Sequence, residues 1–586
     1  MRVLYLLRKL FNFAPFYFIL MKRFRPYLFG AAVIVAALLA YGLFTLPRHK
    51  DALSEGFSAE RAARDIEVIS REHHSVAHPA ERSKVREYLI SRLEELGADT
   101  VMTYQYDSLI GPLNKHVCYT FDAVDVLAQF SPEGVDNPTY MMFVAHYDSR
   151  YSQIMPKDTV WSYGAADDGY GVSTALECTA RLLDIRPQWN QGVKVLFTDA
   201  EEAGMDGMYS IWEKNPEVFE NVGFIVNIEG RGTWGPALLF ETSKGNSKVM
   251  ELYRQAKYPY TYSLTTVVYG FMPNFTDFTV VKDHIPGMNF SSIADVNHYH
   301  TDLDNYSNIN LNTIQHYGEQ ILPVVSAYVT DSKYADKDYL RSEEDTVNFT
   351  VPAIGLINMS KTTYLIINIV AFVLLLLLFA FDVIRARVKP AKVFKVSAIA
   401  LASALVALAV GELFAWVCAL VSGAKFKLFG IVAGVMFDNV AMVCFTLITA
   451  AVWVLLYILG RKKIVRNVVS MRTSAIPNAI SKYAHSVMYG VLMLMFLLSA
   501  VLLFAIGENL FFFIPMLLAT LSILLWRVTS VKSWFPVATL VILLHAFSFL
   551  FALAMALTIG AYGAVLMIAS LDLMLIIPMA DIYTTK

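Results

Sequence analysis

Long apolar runs confine much of this chain to a lipid bilayer. A helix crosses the hydrocarbon core with about 20 consecutive apolar residues, and Tyr27 to Leu46 meets that length without a charged residue. Further candidate spans lie near 364–381, 396–421, 440–459, 487–506, 510–526, 535–557 and 561–580, with 428–437 read as a re-entrant or interfacial piece. The charge clusters, Gly/Pro turns and most histidines fall instead between 51 and 350. The expected organisation is a basic N-terminus and transmembrane anchor over 1–50, a globular domain over 51–337, a linker over 338–362 and a multi-span domain of about seven helices over 363–586.

Basic residues set the expected orientation. The first span follows Arg2, Arg8, Lys9, Lys22, Arg23 and Arg25, and lacks the short core and small-residue cleavage site of a signal peptide, so an uncleaved anchor is expected. Arg385 to Lys395, Arg461 to Arg472, and Arg527 with Lys532 follow alternate later spans. Cytoplasmic placement of all these groups puts the globular domain outside, in a bacterial periplasm or, in a eukaryote, a lumen. In a lumen, Asn274 and Asn348 would be available sequons. Glu412, His485, His545 and Asp572 fall in or beside apolar spans; the bundle is read as an anchor, with transport or gating as the alternative. A net charge of −2 without a basic patch gives no nucleic-acid partner, and the four cysteines are read as free thiols.

Between the anchor and the later spans, periodicity predicts an α/β domain. An amphipathic helix is expected from Ser83 to Gly97 and another from Tyr170 to Leu183. Apolar strand runs cover Ala123–Phe130, Tyr140–Ala145, Val193–Thr198, Val222–Ile228, Ala237–Glu241 and Met288–Ser291. Continuous apolar strands alternating with helices imply a mixed central sheet covered on both faces.

Five motifs end or follow those strands: FVAHYDS (143–149), GAADDGYG (164–171), DAEEAG (199–204), VNIEGRG (226–232) and NHYHTDLDN (297–305). Strand ends are where open α/β sheets bind ligands. The motifs hold histidines and carboxylates but no nucleophile elbow of the G-x-S-x-G type. Histidine with carboxylate and no thiolate suits catalytic zinc. The donor set is too large for one open site, and a carboxylate shared by two metals uses it better. Taken singly, each motif has a structural reading: Asp167 and Asp168 as a helix cap, Glu201 and Glu202 as a solvated helix start, Glu229 as an ordinary strand-end acid. Their recurrence at successive strand ends favours a site.

This ordered set, H-x-D, G-A-x-D-D, E-E, a strand-end acid and Y-H-T, resembles the co-catalytic di-zinc aminopeptidases over roughly residues 60 to 335. That family includes glutamate carboxypeptidase II, glutaminyl cyclase and the endoplasmic-reticulum metallopeptidase. The anchor and multi-span region look most like the last branch and its bacterial relatives. The resemblance implies an α/β zinc-peptidase domain beside an all-α polytopic transmembrane domain, with two Zn2+ per chain acting on a peptide or protein substrate. It implies that His146, Asp167, Glu202, Glu229 and His300 are the metal ligands, with Asp167 bridging. Asp148 then orients His146, Glu201 is the general base and Tyr299 hydrogen-bonds the oxyanion. Ala166 and Tyr170 depart from the family's usual residues, which bears on access to the ligands. His298 rivals His300, and Arg231 is open to a substrate contact or a structural ion pair; His73, His74 and His78 are not expected to form another metal site. The alternatives to an aminopeptidase are a one-zinc glutaminyl cyclase and a catalytically silent receptor or scaffold.

Overall fold

The computed structural model describes all residues except 1–28, 43–46, 115–116, 152, 155–158, 271–274, 429–434, 436–437, 470–475 and 585–586. The basic N-terminus, Asn274, most of the 428–437 piece and the Cys118 side chain lie outside the described residues. The chain divides into two compact units, Gly42–Thr362 and the remainder, Met1–Tyr41 with Thr363–Lys586.

The first unit is built on a mixed sheet. Its strands are β1 (Thr100–Asn114), β2 (Val117–Phe130), β3 (Tyr140–His146), β6 (Gly192–Thr198), β7 (Val222–Gly230), β8 (Trp234–Thr242) and β9 (Gly287–Ala294), while β4 (Gln153–Ile154) and β5 (Thr159–Val160) form a separate short pair. The order is β1-β2-β6-β3-β7-β9-β8. The central strands β6, β3, β7 and β9 run parallel, and β1, β2 and β8 are antiparallel to their neighbours. Every residue of β3, β6 and β7 is buried. Their side chains alternate between two cores, as a period of two requires. Met141, Phe143 and Ala145 join the core beneath helices Gly169–Leu183 and Leu311–Thr330, whereas Met142 and Val144 meet Met208, Ile211 and Phe278 on the other face. The predicted mixed sheet between helices is therefore present. Its long edge strand β1 was not predicted, because its polar, half-exposed sequence lacks the continuous apolar run of the inner strands.

Residues 338–362, expected as a linker, hold the hairpin β10 (Thr346–Val351) and β11 (Gly355–Ser360). Backbone and side-chain hydrogen bonds tie β10 to Thr261 and Ser263. Asn348 is buried there, with its carbonyl oxygen accepting from the Thr261 hydroxyl, so its sequon is not exposed.

The second unit is helical. Among the described residues, six helical stretches are long and apolar enough to cross a membrane. The last, Trp534–Thr584, is two α-helices joined by a 3-10 turn at Thr558–Ala561. The anchor run is helical over Phe29–Gly42. Small residues allow close helix contact: a Cβ on Gly411 would come within 2.6 Å of the Gly563 backbone. Buried Asp382 receives Arg387 at 2.8 Å, Arg527 at 2.8 Å and Tyr489 at 2.9 Å. Glu412 accepts from the Gly563 amide at 3.2 Å, and His485 contacts its own helix at the Ser481 carbonyl, 2.7 Å away. Among the described residues, Cys178, Cys418 and Cys444 form no disulfide.

The segment entering the globular unit is pinned to helix Leu311–Thr330. Gln315 accepts from the Lys50 and Ala59 amides, and buried Glu319 pairs with Lys50 at 2.8 Å and Lys257 at 2.9 Å. Burial opposes ionisation of Glu319, but the two lysines outweigh it and hold the carboxyl below its ordinary range. Replacing Glu319 by Gln is expected to lower stability by about 1 kcal/mol at neutral pH, because both lysines are partly solvated. A depressed folded-state pKa stabilises above the unfolded value, so the gap between wild type and E319Q closes as pH falls through the Glu319 pKa. Thermal melts of both proteins across that range check this.

Candidate metal centre

The parallel strands deliver the site. His146 ends β3, the 199–202 turn follows β6, and Glu229 lies at the end of β7. His146 is oriented by its own loop. Its Nδ1 lies 2.9 Å from the Asp148 carbonyl, which only accepts, so Nδ1 carries a proton and Nε2 is the ring atom turned to Asp167. The Asp148 carboxylate accepts the amides of Glu201 at 3.0 Å and Glu202 at 3.3 Å, which fixes the start of the short helix Glu201–Gly204. Asp148 thus orients His146 chiefly through its backbone oxygen, while its side chain holds the acidic pair.

Asp167 is placed between two histidines. Its Oδ1 is 3.2 Å from His146 Nε2, and its Oδ2 is 3.1 Å from His300 Nε2. Glu202 Oε1 lies 3.1 Å from the same His300 nitrogen, and Glu229 Oε2 lies 3.7 Å from His146 Nε2. Donor atoms fall into two groups, His146 with Asp168 and Glu229, and Asp167 with Glu202 and His300, each within 4.8 Å. Asp167 Oδ2, Glu202 Oε1 and His300 Nε2 are close together, yet none has hydrogen-bond alignment to a partner. Atoms that converge without bonding one another have the arrangement of ligands around a shared centre. Two donors on one tetrahedral zinc, each roughly 2.1 Å from it, stand about 3.4 Å apart, which the 3.1 to 3.7 Å spacings match. The residues present therefore fit zinc.

The Asp167–Asp168 loop is positioned from below. Buried Asp304 accepts the Ala166 amide at 2.7 Å, the Asp167 amide at 3.3 Å and the Ser162 hydroxyl at 3.0 Å. Asp168 caps helix Gly169–Leu183 by accepting from the Gly171 amide at 2.9 Å, leaving its second oxygen facing the first donor group. A Cβ at Gly230 would overlap the Ala166 carbonyl, so glycine is required for β7 to pass this loop.

Residues 125–325 match the profile of peptidase family M28. The chain carries a peptidase family M28 domain. Over 234 residues it is 27% identical to a putative endoplasmic reticulum metallopeptidase 1-A of Caenorhabditis elegans, covering 39% of this chain and 25% of that protein. Over 357 residues it is 25% identical to a vacuolar membrane protease of Pyrenophora teres, covering 55% and 35%. Mouse endoplasmic reticulum metallopeptidase 1 is 30% identical over 186 residues, covering 31% and 20%. The chain thus matches between a fifth and about a third of the length of these relatives. Among solved structures it is similar to a zinc aminopeptidase from Bacillus subtilis, with 15% identity, a TM-score of 0.37 and coverage of 48% and 97%. A Porphyromonas gingivalis glutaminyl cyclase gives 20% identity, a TM-score of 0.38 and coverage of 47% and 100%. The resemblance read from the five motifs is borne out at the level of family.

The M28 domain concentrates negative charge at this sheet edge. Burial raises Glu229 to about 8, with Asp167 adding to the shift and His146 opposing it. Burial likewise pushes Glu201 and Asp168 well above the ordinary carboxyl range. Burial also acts to raise Glu202, but His300 and Arg150 overcome it and hold that carboxyl low. Burial alone would lower both imidazoles, yet Asp148 and Asp167 raise His146, and Glu202 and Asp167 raise His300. Packed carboxylates that repel one another favour a bound cation.

Each sequence-predicted residue is close to this cluster. Tyr299 stacks on His300 with ring centroids 3.6 Å apart. His298 instead bonds the Thr233 hydroxyl at 2.7 Å. Asp304 and Arg150 were not singled out. Arg150 donates to the Glu202 carbonyl at 2.6 Å and its carboxylate at 3.1 Å. Asp304 was legible as the last acid of the 297–305 motif, whereas nothing in the spacing marks Arg150. His73, His78, Trp161 and Tyr163 form an aromatic cluster rather than a donor group.

H300A is expected to lose bound zinc, and H298A to keep it, by elemental analysis of the purified proteins. D304A removes the acceptor for the Ala166 and Asp167 amides, and is expected to cost about 2 kcal/mol in denaturant melts and to lower zinc content.

Proposed function

We propose that this chain is a multi-pass membrane zinc metallopeptidase of aminopeptidase type, with two zinc ions in its M28 domain and that domain outside the cytoplasm. One observation carries the reading: the Asp167 carboxylate presents one oxygen to His146 and the other to His300. That is the contact expected of a carboxylate shared by two metals, and a single-zinc cyclase has no need of it. His146 and Glu229 would hold one ion, His300 and Glu202 the other, and Asp167 both; Asp168 lies within reach of the first. Zinc bound there supplies Lewis acidity to the scissile carbonyl and to the attacking water.

The chain's own groups do the rest. Glu201 directly precedes a ligand, and its amide is fixed by Asp148. Its carboxylate takes a proton from the attacking water and delivers it to the leaving amine nitrogen. The Tyr299 hydroxyl donates to the oxyanion that develops on the carbonyl. Arg150 holds Glu202 ionised and aligned by a charge-assisted contact. The basic residues between alternate spans support an extracytoplasmic domain.

E201Q should retain both zinc ions and lose between roughly 100-fold and 10,000-fold in kcat on unblocked peptides. Full activity in that variant would remove Glu201 as the base. Two zincs with cleavage restricted to free N-termini is the expected wild-type result; one zinc per chain would redirect the assignment to a cyclase.

A further inference from the structure

We infer that Arg231 receives a carboxylate of the substrate, so that the M28 domain prefers peptides bearing an anion beside the scissile bond. This rests on the peptidase reading above. Sequence alone leaves Arg231 between a substrate contact and a structural ion pair. Among the described residues no carboxylate pairs with it, and its Nε and Nη2 are shielded from solvent without an acceptor. Shielded guanidinium N–H groups left unpaired are costly, and a fold keeps them where an acceptor arrives from outside.

That place adjoins the metal centre. Arg231 follows Glu229 and Gly230 at the end of β7, where Gly230 abuts the Ala166 carbonyl. Its Cζ lies 6.0 Å from the centre of the Tyr299 ring, and that ring stacks on His300. Tyr269, from helix Ser263–Gly270, lies within electrostatic reach of Arg231, and its hydroxyl is likewise shielded and unpartnered. The other arginine of the site, Arg150, is committed to Glu202. Tyr299 lies against the face of Arg231, and the planar N–H fork has two donors without an acceptor, which suits a two-oxygen group. Two sources have that chemistry: the α-carboxylate of a short peptide, and an Asp or Glu side chain next to the scissile bond.

The experiment compares the full-length zinc-loaded protein with R231M and R231K. Dipeptides with a free C-terminus are set against their amides, and Glu against Gln beside the scissile bond. For wild type, one acid-to-neutral ratio of kcat/KM should be about 30 or more; whichever pair shows it identifies the source. In R231M that ratio should fall toward one, with partial recovery in R231K, which keeps a charge but not the fork. A wild-type ratio near one for both pairs, or a ratio unchanged in both variants, overturns the inference while leaving the peptidase reading intact. Calorimetric binding of reduced-bond dipeptides, as acid against amide and with Glu against Gln beside the reduced bond, separates the two claims. An Arg231-dependent preference for the acid, with no hydrolysis of any peptide, upholds the inference and defeats the peptidase reading. Equal binding within both pairs, acid with amide and Glu with Gln, overturns the inference.

Discussion

The contact of Asp167 with both His146 and His300 constrains the rest of the site, because one carboxylate must satisfy donors arriving from two distant parts of the chain. His146 comes from the end of β3, and His300 from the loop after β9. Holding them within about a single carboxylate's span requires the intervening loop to be fixed in space. Asp304 does this by accepting two successive backbone amides, and Gly230 allows β7 to lie flush against the same loop. Backbone donors in a buried loop must be satisfied somewhere, so the carboxylate that satisfies them also determines where the Asp167 side chain sits.

Charge follows from that geometry. The sheet edge collects acids that each lose solvation on burial, and their mutual repulsion would be destabilising without cations to offset it. Imidazoles and Arg150 supply part of that offset, as the depressed Glu202 and the raised His146 and His300 record. The remaining excess falls on Glu229, Glu201 and Asp168, of which Glu229 and Asp168 belong to the first donor set. A site of this kind is matched to divalent metal by its electrostatics as well as by its donor atoms.

The helical unit follows different physics. Apolar side chains gain nothing from leaving lipid for one another, so small residues such as Gly411 and Gly563 and the Asp382 cluster carry specificity in helix packing. The relatives named vacuolar membrane protease and endoplasmic reticulum metallopeptidase accord with a multi-pass chain carrying an M28 domain.

Much of this was legible in residue order. The inner strands announced themselves because burial on both faces demands unbroken apolar runs, and the spans because a bilayer demands length. The donor motifs stood out because histidine and carboxylate recur at strand ends, where a sheet presents its ligands. Local signals could not separate His298 from His300, since two residues in a loop give no period from which to infer direction; only packing turned His298 toward Thr233. Nor did they reveal β1, whose half-exposed face mixes polar and apolar side chains, or the hairpin within 338–362, whose buried Asn348 resembles an exposed sequon on paper. Arg150 and Arg231 carry the same charge in the sequence. Tertiary contacts alone decided that one is paired with Glu202 and the other is not, because pairing depends on which distant carboxylate the fold brings within reach.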